Sequence, residues 1–151
     1  MGIINRVVKR QPKIVKKFYY NVVPFAKRYG KVFSETSEFL KEFDSWDYDR
    51  SRDYQFTQLK KILKHCHKNV PYYRKLFADC EFNPNIQSFE DLKKLPELTK
   101  DLINSNFEDL ISTNFNGKKI QFKTSGSTGK RMRFYGEDSM YKKEAAYILH
   151  S

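Results

Sequence analysis

Several things are scarce in this sequence, and each scarcity removes a class of protein. Its 151 residues hold only two cysteines, Cys66 and Cys80. A disulfide-built secreted scaffold needs more pairs, so two reduced, partly buried thiols are expected. No apolar run approaches the roughly 20 residues that a membrane-spanning helix requires. No secretory leader is expected either, because the best stretch, residues 18–26, is interrupted by Asn21 and Pro24 and no small-residue cleavage site follows. Met1-Gly2 opens like an N-myristoylation site, but position 6 is Arg where Ser or Thr is needed. His65-Cys66-His67 invites a metal reading. On a helix, however, residues 65 and 67 point to different sides and no second ligand cluster follows, so no metal site is expected. Internal repeats and low-complexity linkers are also missing.

Acidic residues are absent from the first 31 positions. That segment holds nine Lys and Arg (Arg6, Lys9, Arg10, Lys13, Lys16, Lys17, Lys27, Arg28 and Lys31), which is +9 of the chain's net +11. The basicity therefore belongs to an N-terminal arm. Ile4, Val7, Val8, Ile14, Val15, Phe18 and Val22 recur among these cations at helical spacing, which predicts two short amphipathic helices broken near Pro12. Two readings of residues 1–31 stay open. The arm lies on an anionic membrane, lysines toward phosphates, as a peripheral attachment on the inner face for a cytoplasmic protein. Alternatively, it packs its apolar stripe on the rest of the protein. Nucleic acid is not the expected partner, because the aromatics sit with the apolar face and no base-reading motif is present.

Composition then shifts, with seven acids against three bases in residues 32–58. A boundary near Asp44 divides an arm, residues 1–45, from a body, residues 46–151. Tyr54, Leu59, Ile62, Leu63, Cys66 and Val70 approximate one helical stripe, ended by Asn69 and Pro71. A short helix follows, with Tyr72, Tyr73, Leu76 and Phe77 on its apolar side. Ser88 and Asp91 resemble a capping box opening a brief helix that buries Phe89, Leu92 and Leu95. Thr99 caps another, anchored by Leu102 and Ile103. After Gly117 the period changes. Lys118, Ile120 and Phe122 alternate with polar neighbours, and residues 131–135 alternate again, as two half-buried strands would. Glu137 and Asp138 open a last helix with Tyr141, Ala145 and Ile148 on one face, and the sequence ends inside that pattern, as a truncated domain would. The fold class expected is α/β: a helical first part, then a β-hairpin.

The residues joining the two strands carry the chemistry. Thr124-Ser125-Gly126-Ser127-Thr128-Gly129-Lys130 combines two glycines, four hydroxyls and a lysine. Glycines let backbone approach a ligand, successive bare N–H groups make an anion-binding concavity, and the hydroxyls and Lys130 add donors suited to a polyphosphate. A nucleotide-triphosphate Walker loop is excluded, because Thr124 stands where its first glycine belongs and Arg131 where its Ser or Thr belongs. The glycine spacing also fails the dinucleotide fingerprint. By itself such a loop can equally be a flexible hairpin.

This loop is similar to the signature Thr-Ser-Gly-(Ser/Thr)-Thr-Gly of adenylate-forming enzymes. Asn69-Val70-Pro71-Tyr72-Tyr73-Arg74-Lys75-Leu76-Phe77 resembles a segment of the phenylacetate-CoA ligase branch, as does Ser88-Phe89-Glu90-Asp91-Leu92-Lys93-Lys94-Leu95-Pro96 with Leu98-Thr99-Lys100. The basic arm and Tyr29-Gly30-Lys31 resemble the CapK-like proteins of bacterial capsule and surface-polysaccharide gene clusters. The resemblance implies ATP-dependent, AMP-forming activation of a carboxylic acid, with coenzyme A or another thiol as acceptor. It implies that Thr124, Ser125, Gly126, Ser127, Thr128, Gly129 and Lys130 hold the β- and γ-phosphates, with Mg²⁺ neutralising charge as pyrophosphate leaves. Arg131 departs from the usual proline there. In that family the adenine, ribose and carboxylate contacts and the catalytic lysine lie downstream of position 151. The chain is thus expected to be an incomplete piece of the adenylate-forming N-terminal domain, without catalytic residues and inactive alone. The alternatives are a membrane- or protein-binding module, or one half of a split ligase completed by a partner chain.

Overall fold

A computed structural model describes residues 8, 10–23, 29–124 and 131–150. They belong to two compact units, one of Met1–Trp46 with Glu137–Ser151, the other Asp47–Gly136. Among the described residues no helix is long and apolar enough to cross a membrane. The architecture is mixed α/β, mostly helical, with a single two-stranded antiparallel sheet among the described residues.

The first unit begins with α1, Lys13–Val22, preceded by Pro12 as the sequence implies. The amphipathic helix expected over residues 4–10 falls outside the described residues, apart from Val8 and Arg10. In α1 the apolar stripe remains in solvent, with Ile14, Phe18 and Val22 exposed at 78%, 68% and 58%. Next comes α2, Lys31–Phe43, a helix that sequence patterning missed in an acid-rich stretch. Its one buried face is narrow, Phe33 and Leu40 at i and i+7. The last helix of the chain, α6, spans Asp138–His150 and packs on α2. Its buried residue is Ala146, seated with Phe33 and Leu40, not the expected Tyr141 and Ile148, which are exposed. The reason is steric: Ala145 and Ala146 let the backbones approach, whereas a tyrosine cannot occupy that gap. His150 Nε2 lies 2.8 Å from Asp44 Oδ2.

The second unit opens with α3, Tyr48–Asn69. It starts six residues before the first residue of the expected stripe, because Asp47 caps it by accepting the Arg50 N–H at 2.8 Å. Leu63 and the C-capping Val70 are buried, with Phe56, Leu59 and Cys66 half-buried along the same stripe. Ile62, placed on that stripe by sequence, stays 59% exposed, since one residue's rotation of about 100° carries it away from Leu63. Pro71 occupies the first turn of α4, Pro71–Asp79.

The exit of α4 shapes the core. Phe82 N–H donates to Phe77 O at 2.8 Å and Glu81 N–H to Ala78 O at 3.2 Å, with Glu81 at φ 47°. This is a Schellman cap, and its companion apolar contact is Phe77 against Phe82, ring centres 4.8 Å apart. Phe77, Phe82, Ile86 and Leu63 form the buried core, with Leu92 and Leu95 packed around it. The expected capping box then opens a 3-10 helix, Phe89–Lys94, in which Asp91 accepts the N–H groups of Gln87 and Ser88. Phe89, Leu92 and Leu95 are half-buried there, less covered than expected. Thr99 caps α5, Lys100–Ser105, by accepting the Leu102 N–H at 3.3 Å, although Leu102 itself stays exposed. The sheet follows: β1, Ile120–Lys123, and β2, Arg133–Gly136.

Candidate functional site

The two strands pair Ile120 with Gly136, Gln121 with Tyr135, Phe122 with Phe134 and Lys123 with Arg133. Directly opposed residues share a face, so Phe122 stacks on Phe134 with ring centres 5.3 Å apart on one side. Lys123, Arg133 and Tyr135 lie on the other. The ladder closes one step further on. Thr124 N–H donates to Met132 O, and Thr124 Oγ1 accepts the Met132 N–H, both at 3.0 Å. Thr124 thus spends an acceptor lone pair of its hydroxyl on the strand end. The connection between the strands is the stretch 125–130, so Ser125, Gly126, Ser127, Thr128, Gly129 and Lys130 lie outside the described residues.

What positions the strand ends is a feature that sequence patterning did not reveal. Buried Phe107, in the turn after α5, packs against the Tyr135 ring with centres 5.2 Å apart. The Arg133 guanidinium lies over the same Phe107 ring, 4.5 Å from its centre. Asn104 Nδ2 donates to Arg131 O at 3.1 Å, which fixes the main chain where it enters β2. A lone Phe in a polar turn carries no periodic signal, which is why Phe107 was not singled out.

The residues considered for a metal have structural roles. His65 Nε2 meets Ser112 Oγ at 3.0 Å, and Asn69 Nδ2 meets His65 Nδ1 at 3.2 Å. Ser112 Oγ donates onward to Asn114 Oδ1 at 2.7 Å. Because an amide nitrogen only donates, Nδ1 accepts and Nε2 carries the proton. His65 therefore gives a hydrogen bond to Ser112 instead of taking its proton, the reverse of what an activated serine nucleophile needs. Thr113 N–H and Oγ1 both bond Asn69 O, so the cluster ties the α3–α4 junction to the chain before the hairpin. His67 stacks on Phe77. Burial raises the Cys66 thiol above its ordinary value, which disfavours the thiolate that metal binding or nucleophilic attack needs. Among the described residues no group of three or more His, Cys, Asp or Glu could hold a metal ion.

In sequence the chain is similar to a ligase over part of its length. Over 69 residues the chain is 35% identical to a phenylacetate-coenzyme A ligase of Pseudomonas putida, covering 45% of this chain and 16% of the ligase. A longer match is to protein CapK of Staphylococcus aureus, 26% identical over 149 residues, covering 97% of this chain and 32% of CapK. No family model matches the chain. The chain is CapK-like and related to phenylacetate-coenzyme A ligase, as the motifs implied. It spans about a third of the one relative and about a sixth of the other.

Proposed function

We propose that this chain supplies the phosphate-gripping part of an ATP-dependent, AMP-forming ligase that activates a carboxylic acid for transfer to coenzyme A or another acceptor, in the service of surface-polysaccharide synthesis. The observation that carries the reading is the hairpin. Paired strands hold Thr124 and Arg131 at the two ends of a hydroxyl-, glycine- and lysine-rich connection, and Asn104 and Phe107 brace the frame from outside. Donors fixed in advance around a leaving pyrophosphate lower the cost of developing charge there. Thr124 with Ser125, Gly126, Ser127, Thr128, Gly129 and Lys130 would contact the β- and γ-phosphates. Mg²⁺ enters this reading as the counter-ion that the nucleotide's phosphates bring with them.

Titration of the full chain with MgATP tests it. Weak binding is expected, because nothing in the reading holds the adenine, and a Lys130→Ala variant should lose about tenfold, the size of one charge-assisted hydrogen bond. Equal affinity in the variant, or none in the natural chain, would overturn the reading.

The exposed stripe of α1 favours an attachment in addition to this chemistry. With Ile14, Phe18 and Val22 in solvent, the arm would hold the protein at an anionic membrane surface.

A further inference from the structure

The hairpin breaks a rule that sheets ordinarily keep. Lys123 and Arg133 stand directly opposite one another on adjacent strands, and like charges so placed repel and destabilise the pair. Lys119 lies on the same side, its ammonium 5.9 Å from the centre of the Tyr135 ring. Among the described residues none of these three cations makes an ion pair. The Phe107 ring beneath Arg133 orients the guanidinium and leaves its charge in place. A two-stranded sheet has little stability to spare, so a repulsive pair kept as the last rung of the ladder, at its loop end, marks a counter-ion.

We infer that this cationic face is itself a polyphosphate-binding site, with Lys123 and Arg133 bridged by phosphate oxygens and Lys119 extending the track along β1. The site needs no part of the 125–130 connection. It rests on the proposed function only for the identity of its ligand, the triphosphate tail of a nucleotide.

Lys123→Glu tests it cleanly because the substitution makes stability and binding move in opposite directions. The new carboxylate faces Arg133 and turns a repulsive pair into an attractive one, so thermal stability of the free chain should rise or hold. Affinity for inorganic tripolyphosphate and for MgATP, measured calorimetrically on the full chain, should fall by about tenfold or more. Lys123→Gln, which removes charge without adding any, should fall between. Unchanged tripolyphosphate affinity in Lys123→Glu, with the variant folded by circular dichroism, would overturn the inference. If MgATP binds and responds to Lys130→Ala but not to Lys123→Glu, the loop reading stands and this one fails. If tripolyphosphate binds and responds to Lys123→Glu while MgATP does not bind at all, the anion site stands and the nucleotide reading fails.

Discussion

At the scale of single residues, Glu81 shows how a local cost is accepted for a packing gain. Its φ of 47° lies in the left-handed region, which costs a non-glycine residue about 1–2 kcal/mol. The Schellman cap it completes turns the chain so that Phe82 meets Phe77, and both are nearly fully buried. Sequence reading found Phe77 from its helical spacing but not Phe82 or Ile86, the other half of the core, because they sit in a loop without period. The cap itself was invisible for a related reason: the position that usually announces it with glycine holds glutamate. Glu81→Gly is therefore expected to stabilise the chain by about 0.5–1 kcal/mol, the relief of strain less glycine's extra entropy in the unfolded state. Urea denaturation would show this as a higher midpoint at unchanged slope. A lower midpoint would mean that the glutamate side chain contributes more than its backbone costs.

Elements were legible where one face was wide and where a cap had ordinary chemistry. The paired strands, α4 and the helix after Thr99 all follow from alternation, helical spacing or a capping hydroxyl. Helix α2 was lost because its buried face reduces to Phe33 and Leu40 amid acids, and the early start of α3 was lost because Asp47 precedes any apolar stripe. The opposite case is α1, read correctly as a helix from Ile14, Val15, Phe18 and Val22, yet with that face in solvent. Its apolar residues occupy one side of the helix, and Lys13, Lys16 and Lys17 fall on the other. This is the arrangement of a helix lying in a membrane interface. The full chain should co-sediment with vesicles rich in phosphatidylserine and poorly with neutral ones. Phe18→Glu should abolish most of that binding even at low salt, because it removes the inserted ring and leaves the cations. Binding as strong as that of the natural chain would show attraction by charge alone.

At the scale of the whole molecule, the chain leaves one compact unit at Trp46, builds a second, and returns to the first at Glu137. Among the described residues, each unit holds one carboxylate below its ordinary range. In the second, the backbone N–H of Gln87, then that of Ser88, keeps the Asp91 carboxyl down. In the first, Asp138 is lowered to about 2, chiefly by its hydrogen bond from Lys142 Nζ at 2.8 Å. A group whose folded value lies below its unfolded one, about 3.9 for aspartate, binds fewer protons when folded. Its contribution is complete above the unfolded value and drains away as pH falls toward the folded one. Stability should thus hold through neutral pH and decline between about pH 4 and pH 2. Trp46, the sole tryptophan, belongs to the same unit as Asp138, so its fluorescence during acid titration reports that unit. Asp138→Asn should flatten the acid limb seen by Trp46, and because the Asp138 side chain is 53% exposed, the difference from the natural chain should shrink as salt is added. An acid limb identical in the two proteins would mean that the Asp138–Lys142 bond adds nothing to the folded state, and that other carboxylates govern how this unit comes apart in acid.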